Sequence, residues 1–352
     1  MIGRPPLLGA LVGDREAEAL FTDEADLAAM LRVEAALAEA ESAAGVIAPE
    51  AAARIVEVCG NFQPDWTALA HGLAQDGVAV PALVKQVRAA VGMPHRDAVH
   101  RGATSQDIID TSLVLRLAQV VVLFDARLAS LLEGLRALAE RDGARTMMAH
   151  TRMQAALPFT VGHKIETWSA PLERVSARLE ALKPRLLVVQ FGGPVGTLAD
   201  LGSCGKAVAA GLAARLGLGA AAPWHSQRDA IAEFGSWLSL VSGTLGKVGQ
   251  DIALMAQTEV AAVKLATSGT SSAMAHKANP VGAEVLVALA RYNAGLLGTL
   301  HNSLVHENER SGAAWTLEWL VLPPMVVTAA ASLRITLSLL DGLRFNPGRD
   351  AP

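Results

Sequence analysis

Three long stretches of the chain repeat apolar residues at alternating spacings of three and four, and this pattern narrows the choice of fold sharply. In the first stretch, residues 107–140 contain no proline and a single glycine. The apolar period of 3.5 residues predicts a helix about 50 Å long that packs against other helices at small crossing angles. The apolar positions are Val114, Leu117, Val121, Phe124, Leu128, Leu131, Leu135 and Leu138.

The same pattern returns in two further stretches. Residues 229–259 carry it from Phe234 to Met255, and a shorter copy runs from Trp168 to Leu182 and is predicted to end at Pro184. Helices with such long apolar seams must pack side by side, so we expect an all-α, elongated fold built on a long-helix bundle. The seams are too extended to be covered within one compact chain. We therefore expect an oligomeric core, in which helices from several copies associate.

The composition supports helices and excludes several functions. Hydrophobic residues make up 51% of the 352 residues and aromatic residues 4%, so the core must consist mainly of Ala, Leu and Val. A formal net charge of -4 without a basic block argues against nucleic acid as a partner. The two cysteines form no CxxC pair, which fits a reducing compartment. Residues 1–13 lack a signal-peptide pattern, and the apolar tract 319–333 is too short to span a bilayer, so we expect a soluble cytoplasmic protein with no membrane partner.

A domain boundary is predicted near residue 105. Residues 60–105 are richer in Gly, Pro and His than their neighbours, and an earlier helix is predicted from an N-cap at Asp23 to a stop at Gly45. No strand-rich segment and no repeat of 20–50 residues is apparent. The expected domains are an N-terminal helical domain, a central long-helix bundle and a short C-terminal segment, over residues 1–105, 106–330 and 331–352.

The stretch of residues 269–280 has the composition of a mobile loop that binds an anionic substrate. It contains Ser271 and Ser272, followed by Lys277 and Asn279. These residues present hydroxyl groups, a fixed positive charge and an amide within a few positions of one another. An ordinary polar linker between two helices is the alternative interpretation.

Two other loop-like segments flank the long helices. Residues 100–107 lead into the first of them, and the free N–H groups of a helix start, with two adjacent hydroxyl groups, can bind a carboxylate or a phosphate. Simple capping of the helix is a compatible alternative. Residues 150–160 place His, Arg and Gln at alternate positions; Arg152 can hold a carboxylate through two hydrogen bonds, and Gln154 can donate to a further oxygen. A surface turn is the alternative there.

Other polar residues are weaker candidates. Residues 192–197 are rich in glycine but lack the Lys-Ser/Thr of a phosphate loop and the strand context of a dinucleotide site. His301 and His306 lack the HExxH spacing of a zinc site, so we expect no metal ion. His225 and His276 are expected to have structural or solvent-facing roles.

Together the three segments resemble the signature regions of the fumarase/aspartase superfamily. Residues 271–280, Ser-Ser-Ala-Met-Ala-His-Lys-Ala-Asn-Pro, resemble its S-S-x-M-P-x-K-x-N-P region. Residues 102–111, Gly-Ala-Thr-Ser-Gln-Asp-Ile-Ile-Asp-Thr, resemble a second region, and the similarity extends over most of residues 20–325. The third region is represented by Thr151, Gln154, Pro158 and Thr160.

Within the superfamily the chain looks most like the cycloisomerase branch, which lactonises carboxylated muconates. This likeness rests on Gly-Ala-Thr-Ser-Gln-Asp, on residues 191–199 and on residues 309–319. It implies a helical homotetramer whose sites are shared between subunits, a tricarboxylate small-molecule substrate, and an aci-carboxylate intermediate formed without any cofactor. The expected reaction is an intramolecular lactonisation in protocatechuate catabolism.

The resemblance also implies roles for individual residues. Ser271 is expected to be the proton donor or acceptor at the carbon next to a carboxylate, while Lys277 and Asn279 stabilise that carboxylate as charge develops on it. The expected substrate-binding residues are His100, Arg101, Thr104, Ser105, Gln106, Thr151, Arg152, Gln154, Ser272, Met274, Glu284 and Arg310.

The chain departs from the superfamily pattern at three positions. Ala275 stands where Pro is common, and Ala278 where Arg is frequent. Arg152 replaces the His found in the lyases; it either pairs with Glu284 or binds substrate. Relatives usually continue with a further small helical domain, which we expect to be missing here.

Two other functions remain open from the sequence. One is a fumarate-releasing lyase of the adenylosuccinate type, against which the absence of His at position 152 counts. The other is a structural homologue that has lost catalysis, for which the two alanines are the kind of change expected.

Overall fold

The computed structural model describes residues 6–266, 269–270, 274 and 277–346, and most of this part of the chain is helical. The helices before the long bundle are α1 (Pro6–Val12), α2 (Arg15–Ala19), α3 (Asp23–Ala43), α4 (Pro49–Gly60), α5 (Trp66–Asp76) and α6 (Val80–Val91). The remaining helices are α7 (Ser105–Asp142), α8 (Val161–Leu186), α9 (Gly205–Leu216), α10 (Asp229–Met255), α11 (Val281–Asn302) and α12 (Ala313–Asp341). The strands are β1 (Thr146–Thr151), β2 (Gln154–Thr160), β3 (Val263–Lys264), β4 (Gly269–Thr270), β5 (Ala278–Asn279) and β6 (Arg344–Phe345).

The predicted bundle of long helices is confirmed. α10 packs against α8, α11 and α12, and α7 packs against α8 and α12. α7 has 38 residues, which corresponds to about 57 Å of helix. Every apolar seam position predicted for the first stretch is buried, and so are those from Phe234 to Met255 and from Trp168 to Leu182. The 3.5-residue period therefore identified the packed face of all three helices correctly. The expectation that one chain cannot cover these seams was wrong, because the seam residues are buried within a single copy.

The predicted helix ends are less accurate. α8 does not stop at Pro184 but continues to Leu186, because Leu186 is buried in the core and its packing offsets the hydrogen bond that the proline removes. α10 ends at Met255, four residues before the end of the predicted stretch. α3 is capped by Thr22, whose side chain accepts the Ala25 N–H, rather than by Asp23.

Residues 150–160, predicted to be loop-like, belong to a β-hairpin that spans residues 146–160. β1 pairs antiparallel with β2, and the two-residue turn at Arg152 and Met153 has φ values of 48° and 67°. Two consecutive left-handed residues are the geometry of a tight primed hairpin turn, although neither residue type favours it. The sequence, in which no strand-rich segment was apparent, therefore did not indicate this hairpin. The hairpin is largely exposed, including Met153 and Leu157.

The buried apolar residues form two clusters. The larger one lies within the long-helix bundle and includes residues of α7, α8, α10, α11 and α12. The smaller one joins α3, α4 and α6 to α9, which comes later in the chain and packs against α3. The predicted domain limits stay a prediction.

Helix α12 is long and apolar enough to cross a membrane by length and composition. The expectation that this tract is too short was wrong, because Pro323 and Pro324 lie inside a 29-residue helix rather than ending it. However, 72% of its most apolar window is buried within the chain, as in the core helix of a soluble protein. We therefore assign α12 to the core of the bundle.

Candidate functional site

A cleft of about 750 Å³ opens at the N terminus of α7. Thr104, Ser105 and Gln106 line one side of it, and Arg310 lies among the lining residues that precede α12. The structure thus brings Arg310 close to three predicted substrate-binding residues that precede it by about 200 positions in the sequence. The cleft also contains an apolar wall, in which the ring centroids of Trp315 and Trp319 lie 4.5 Å apart.

Arg310 is held against the helix start by Thr104. The Arg310 Nη1 donates to Thr104 Oγ1 over 2.7 Å, while the Thr104 backbone N–H donates to Asp107 Oδ2 over 3.0 Å. The segment is therefore a helix cap that also orients a guanidinium group, so the two interpretations offered by the sequence are compatible. An exposed cation beside free helix N–H groups is a favourable place for a carboxylate.

The buried carboxylate of Asp107 holds the cap and the glycine-rich segment together. Its two oxygens accept the N–H groups of Gly192 at 2.9 Å and Gly193 at 2.8 Å, in addition to that of Thr104. The ring of His225 also contacts it, with Nε2 3.0 Å from Oδ1. The glycine-rich segment thus binds a carboxylate of its own chain, and buried His225 makes a structural contact there, one of the two roles expected for it from the sequence.

Replacing Asp107 by asparagine is expected to lower the free energy of unfolding by about 2–3 kcal/mol, because an amide nitrogen would then face backbone N–H donors in a buried place. Asp97 is exposed, and Asp97→Asn is the matched control with a change below about 0.5 kcal/mol. Urea denaturation followed by circular dichroism measures both values. Equal stability of the two variants would contradict the anchoring role of Asp107.

A second buried network lies one turn further along α7. Arg228 donates from Nη1 to Asp110 Oδ2 over 2.6 Å and from Nε to Glu318 Oε2 over 3.0 Å. Trp315 Nε1 and the Gln106 amide also donate to Asp110, each over 3.0 Å. All three charged residues are buried. The network therefore ties α7, α10 and α12 together directly beneath residues that line the cleft.

The charges of this network depend on one another. Burial raises the pKa of Glu318 and the nearby charge of Asp110 adds to the effect, although Arg228 opposes it. Burial alone would lower the pKa of Arg228, but Asp110 and Glu318 more than offset this and raise it. Arg228 thus stays charged between two acids, and loss of its charge would leave both without a partner.

Gln106 was predicted to bind substrate, but the structure shows its side chain in contact with other residues of the chain. Its side chain is buried, and the amide nitrogen donates to Asp110 and to the His225 carbonyl oxygen at 2.9 Å. The Gln106 Oε1 has no hydrogen-bond partner among the described residues. The donors of Gln106 are thus already used within the chain, and the Oε1 is the atom left for a further contact.

Three further predicted binding residues lie at the hairpin and one lies on α11. Thr151, Arg152 and Gln154 are exposed at the tip of the hairpin and are not among the residues that line the cleft. Glu284 is exposed in the first turn of α11. No ion pair joins Arg152 to Glu284 within the described part of the chain.

The serine-containing segment is described at its two ends. β4 pairs with β5, with Gly269 opposite Asn279, which brings the ends of the intervening stretch together. Lys277 is exposed, and its N–H donates to the Met274 carbonyl oxygen over 3.1 Å. Met274 is 43% exposed. Ser271 and Ser272 lie outside the described residues.

The importance of Asp107, Asp110, Arg228 and Glu318 was missed from the sequence. A signal was present on α7, because polar residues at positions 107, 110 and 111 interrupt the buried face of an otherwise apolar helix at spacings of three and four. Their partners come from segments about 80 to 210 residues away, and no local pattern indicates them.

Comparison with known proteins agrees with this architecture. The family model described as lyase matches residues 14–293. The 3-carboxy-cis,cis-muconate cycloisomerase of Pseudomonas aeruginosa is 42% identical over 338 residues, which are 94% of this chain and 74% of the relative.

Solved structures show the same fold. The 3-carboxy-cis,cis-muconate lactonizing enzyme of Pseudomonas putida superimposes with a TM-score of 0.92 at 39% identity, covering 97% of this chain and 78% of that one. A fumarate lyase of Mesorhizobium sp. superimposes with a TM-score of 0.90 at 35% identity, covering 99% and 78%. The predicted family and fold are confirmed, and the chain belongs to the lyase family of the fumarase/aspartase superfamily.

Proposed function

We propose that this protein is a cycloisomerase that converts 3-carboxy-cis,cis-muconate to a carboxymuconolactone in protocatechuate catabolism. The observation that carries the proposal is the likeness to enzymes of that name over nearly the whole chain. The cleft supports it, because a helix start with Arg310 beside it suits a substrate with several carboxylates.

The reaction is an intramolecular addition that needs no redox partner. A carboxylate oxygen of the substrate forms a bond to a carbon of its own double bond, and the electron pair of that double bond moves towards the neighbouring carboxylate to give an aci-carboxylate. Ser271 then gives its proton to the carbon next to that carboxylate, and the serine alkoxide that remains takes up a proton from water. Lys277 and Asn279 stabilise the charge while it resides on the carboxylate oxygens.

A complete site is proposed to need more than one copy of the chain. Within one copy, the hairpin-tip residues Thr151, Arg152 and Gln154 are not among the described residues that line the cleft. The exposed apolar hairpin residues Met153 and Leu157 offer a surface for a neighbouring copy. We propose a cytoplasmic homotetramer in which Thr151, Arg152 and Gln154 of one copy approach the cleft of another.

The predicted division at residue 105 is retained as a proposal, whereas the predicted limit at residue 330 falls inside α12 (Ala313–Asp341). The division at residue 105 separates the helices before the cap of α7 from the bundle that carries Arg228 and Glu318.

The direct test is turnover of 3-carboxy-cis,cis-muconate by the purified protein. Lactone formation can be followed by the loss of diene absorbance, and fumarate release from succinyl adducts such as adenylosuccinate can be measured in parallel. Lactone formation without fumarate supports the proposal. Fumarate release alone would replace it with the lyase function, and a properly folded protein that turns over neither would favour a structural role.

Replacing Arg310 by methionine is expected to raise KM for this substrate about 10- to 100-fold with a smaller effect on kcat, because a charge-assisted contact to a carboxylate would be lost. Arg136, which is exposed on α7, supplies the control Arg136→Met, for which KM should be unchanged. Steady-state kinetics at fixed ionic strength measure both. An unaltered KM for Arg310→Met would exclude Arg310 from substrate binding.

A further inference from the structure

His100 and Glu34 form an ion pair that none of the proposed chemistry has used. The His100 Nδ1 lies 2.6 Å from Glu34 Oε1. The Glu34 side chain is 1% exposed and the His100 side chain 14% exposed. His100 has a φ of 61°, in the left-handed region that disfavours residues other than glycine. A histidine kept in that conformation beside a buried carboxylate is held in one orientation by its surroundings.

The charged groups around the ring favour its protonated form. Burial lowers the pKa of His100, but the charge of Glu34, its hydrogen bond to the ring and the charge of Asp107 outweigh burial and the opposing charge of Arg88. The pKa is therefore raised above its ordinary value of 6.5. These groups come from α3, α7 and α6, the helices around the ring. His100 thus holds its proton more firmly than an ordinary histidine does.

A second acid on α3 does not compete for this histidine. Glu41 lies two helical turns after Glu34, and burial, followed by the charge of Glu34, raises its pKa to about 8 although Arg101 opposes this. Glu41 is therefore mostly uncharged at neutral pH. Glu34, and not Glu41, forms the ion pair with His100. Glu41 is therefore a suitable control for experiments on Glu34.

The ring nitrogen that Glu34 does not engage, Nε2, belongs to a side chain that is 14% exposed. Nδ1 is engaged by Glu34, and Nε2 has no hydrogen-bond partner among the described residues. A protonated imidazole donates from both nitrogens, so Nε2 offers an N–H that carries part of a positive charge. His100 is four residues before Thr104, in the segment that continues into the wall of the cleft.

We propose that Glu34 is a positioning residue that holds His100 as an imidazolium, so that its Nε2–H binds a carboxylate of the substrate. This inference rests on the proposed function, because it takes a tricarboxylate as the ligand. Among the described residues that line the cleft, Arg310 is the cationic one and Asp76 is acidic. An additional fixed positive charge next to the helix start supplies what a substrate with three carboxylates requires.

The test compares Glu34→Gln with Glu41→Gln. The His100 titration is followed by NMR of histidines labelled at Cε1 and assigned with His100→Gln. Binding of propane-1,2,3-tricarboxylate, a tricarboxylate with no double bond to react, is measured by calorimetry from pH 5 to 9, and KM and kcat are measured over the same range. Gel filtration and circular dichroism establish that each variant folds and assembles.

For Glu34→Gln we expect a lowered His100 pKa and, at pH 8, a Kd for the tricarboxylate and a KM raised about tenfold or more. The difference from wild type should narrow as the pH falls, because His100 then becomes protonated without Glu34. The kcat should change little. Glu41→Gln should leave the His100 titration and both constants near wild type at neutral pH, since it replaces a neutral acid by a neutral amide.

Three results would overturn the inference. One is a His100 titration that is the same in Glu34→Gln and wild type, and another is a shifted titration without any change in the pH dependence of binding. The third is a His100→Gln variant, the substitute if Glu34→Gln does not fold, that binds as well as wild type at pH 6 and 8. If the tricarboxylate binds as expected but 3-carboxy-cis,cis-muconate is not turned over, the inference holds and the proposed reaction fails.

Discussion

Replacing Arg228 by methionine is expected to lower the free energy of unfolding by about 3–5 kcal/mol, the cost of breaking a buried ion pair by removing one partner. Methionine fills much of the space of the arginine stem but leaves Asp110 and Glu318 as two buried acids without a cation. The loss should be larger at pH 8 than at pH 5. Burial already holds the pKa of Glu318 above its ordinary 4.5, so low pH allows the acid to become neutral in the folded state, whereas a rising pH forces it to ionise.

The control for this prediction is Arg185→Met. Arg185 forms an ion pair with Glu233, in which the two side chains are 53% and 49% exposed, so its loss should cost less than about 1 kcal/mol. Adding Glu318→Gln to Arg228→Met should restore part of the stability, because one of the two unpaired charges is then absent. Urea unfolding at one protein concentration, at pH 5 and pH 8, measures the series. Equal losses for Arg228→Met and Arg185→Met would show that the buried network contributes no more than a surface pair.

Replacing Ser271 by alanine is expected to reduce kcat about 10²- to 10⁴-fold, the usual contribution of a positioned proton donor or acceptor. The change removes a hydroxyl and adds no bulk, so folding and oligomeric state should be unaffected. A serine hydroxyl is a poor base unless its alkoxide is stabilised, and the positive charge of Lys277 and nearby backbone N–H groups are proposed to do this. KM should change less than kcat, because the proton is transferred in the transition state rather than on binding.

Ser130→Ala is the matched control for Ser271→Ala. Ser130 is exposed on α7, and its hydroxyl donates to the Ala126 carbonyl oxygen of the same helix. Its rate should equal that of the wild type within experimental error. Gel filtration of both variants establishes that they assemble alike. A Ser271→Ala variant that retains a rate near wild type would exclude Ser271 as the group that moves the proton.

Much of the fold was predictable because periodic burial is a local property. In α7, α8 and α10 the apolar spacing alone identified the buried face, since residues three and four apart lie on one side of a helix. The ends were harder to predict. Pro184 was expected to stop α8, but tertiary packing of Leu186 outweighed the local cost. The hairpin was missed because Arg152 and Met153 are unusual residues for a primed turn.

The candidate site, like the fold, was only partly predictable from the sequence. The sequence indicated the start of α7 and the place of Arg310, and the structure brings these together in one cleft. It did not indicate Glu34, Arg228 or Glu318, whose partners are distant in the sequence. The hairpin residues and the segment around Ser271 keep the roles that the resemblance predicts, and those roles await the experiments above.

The sequence by itself determined the helical architecture, the family and the residue types available for binding carboxylates. Helix periodicity and short motifs depend only on residues that are close together in the sequence. The tertiary structure decided which buried charges face one another: Asp107 with the glycine-rich segment, Arg228 with Asp110 and Glu318, and Glu34 with His100. The physical reason is that the energy of a buried charge depends on the distance to its partner and on the loss of water around both. That distance is set by tertiary contacts between residues that are tens to hundreds of positions apart in the sequence.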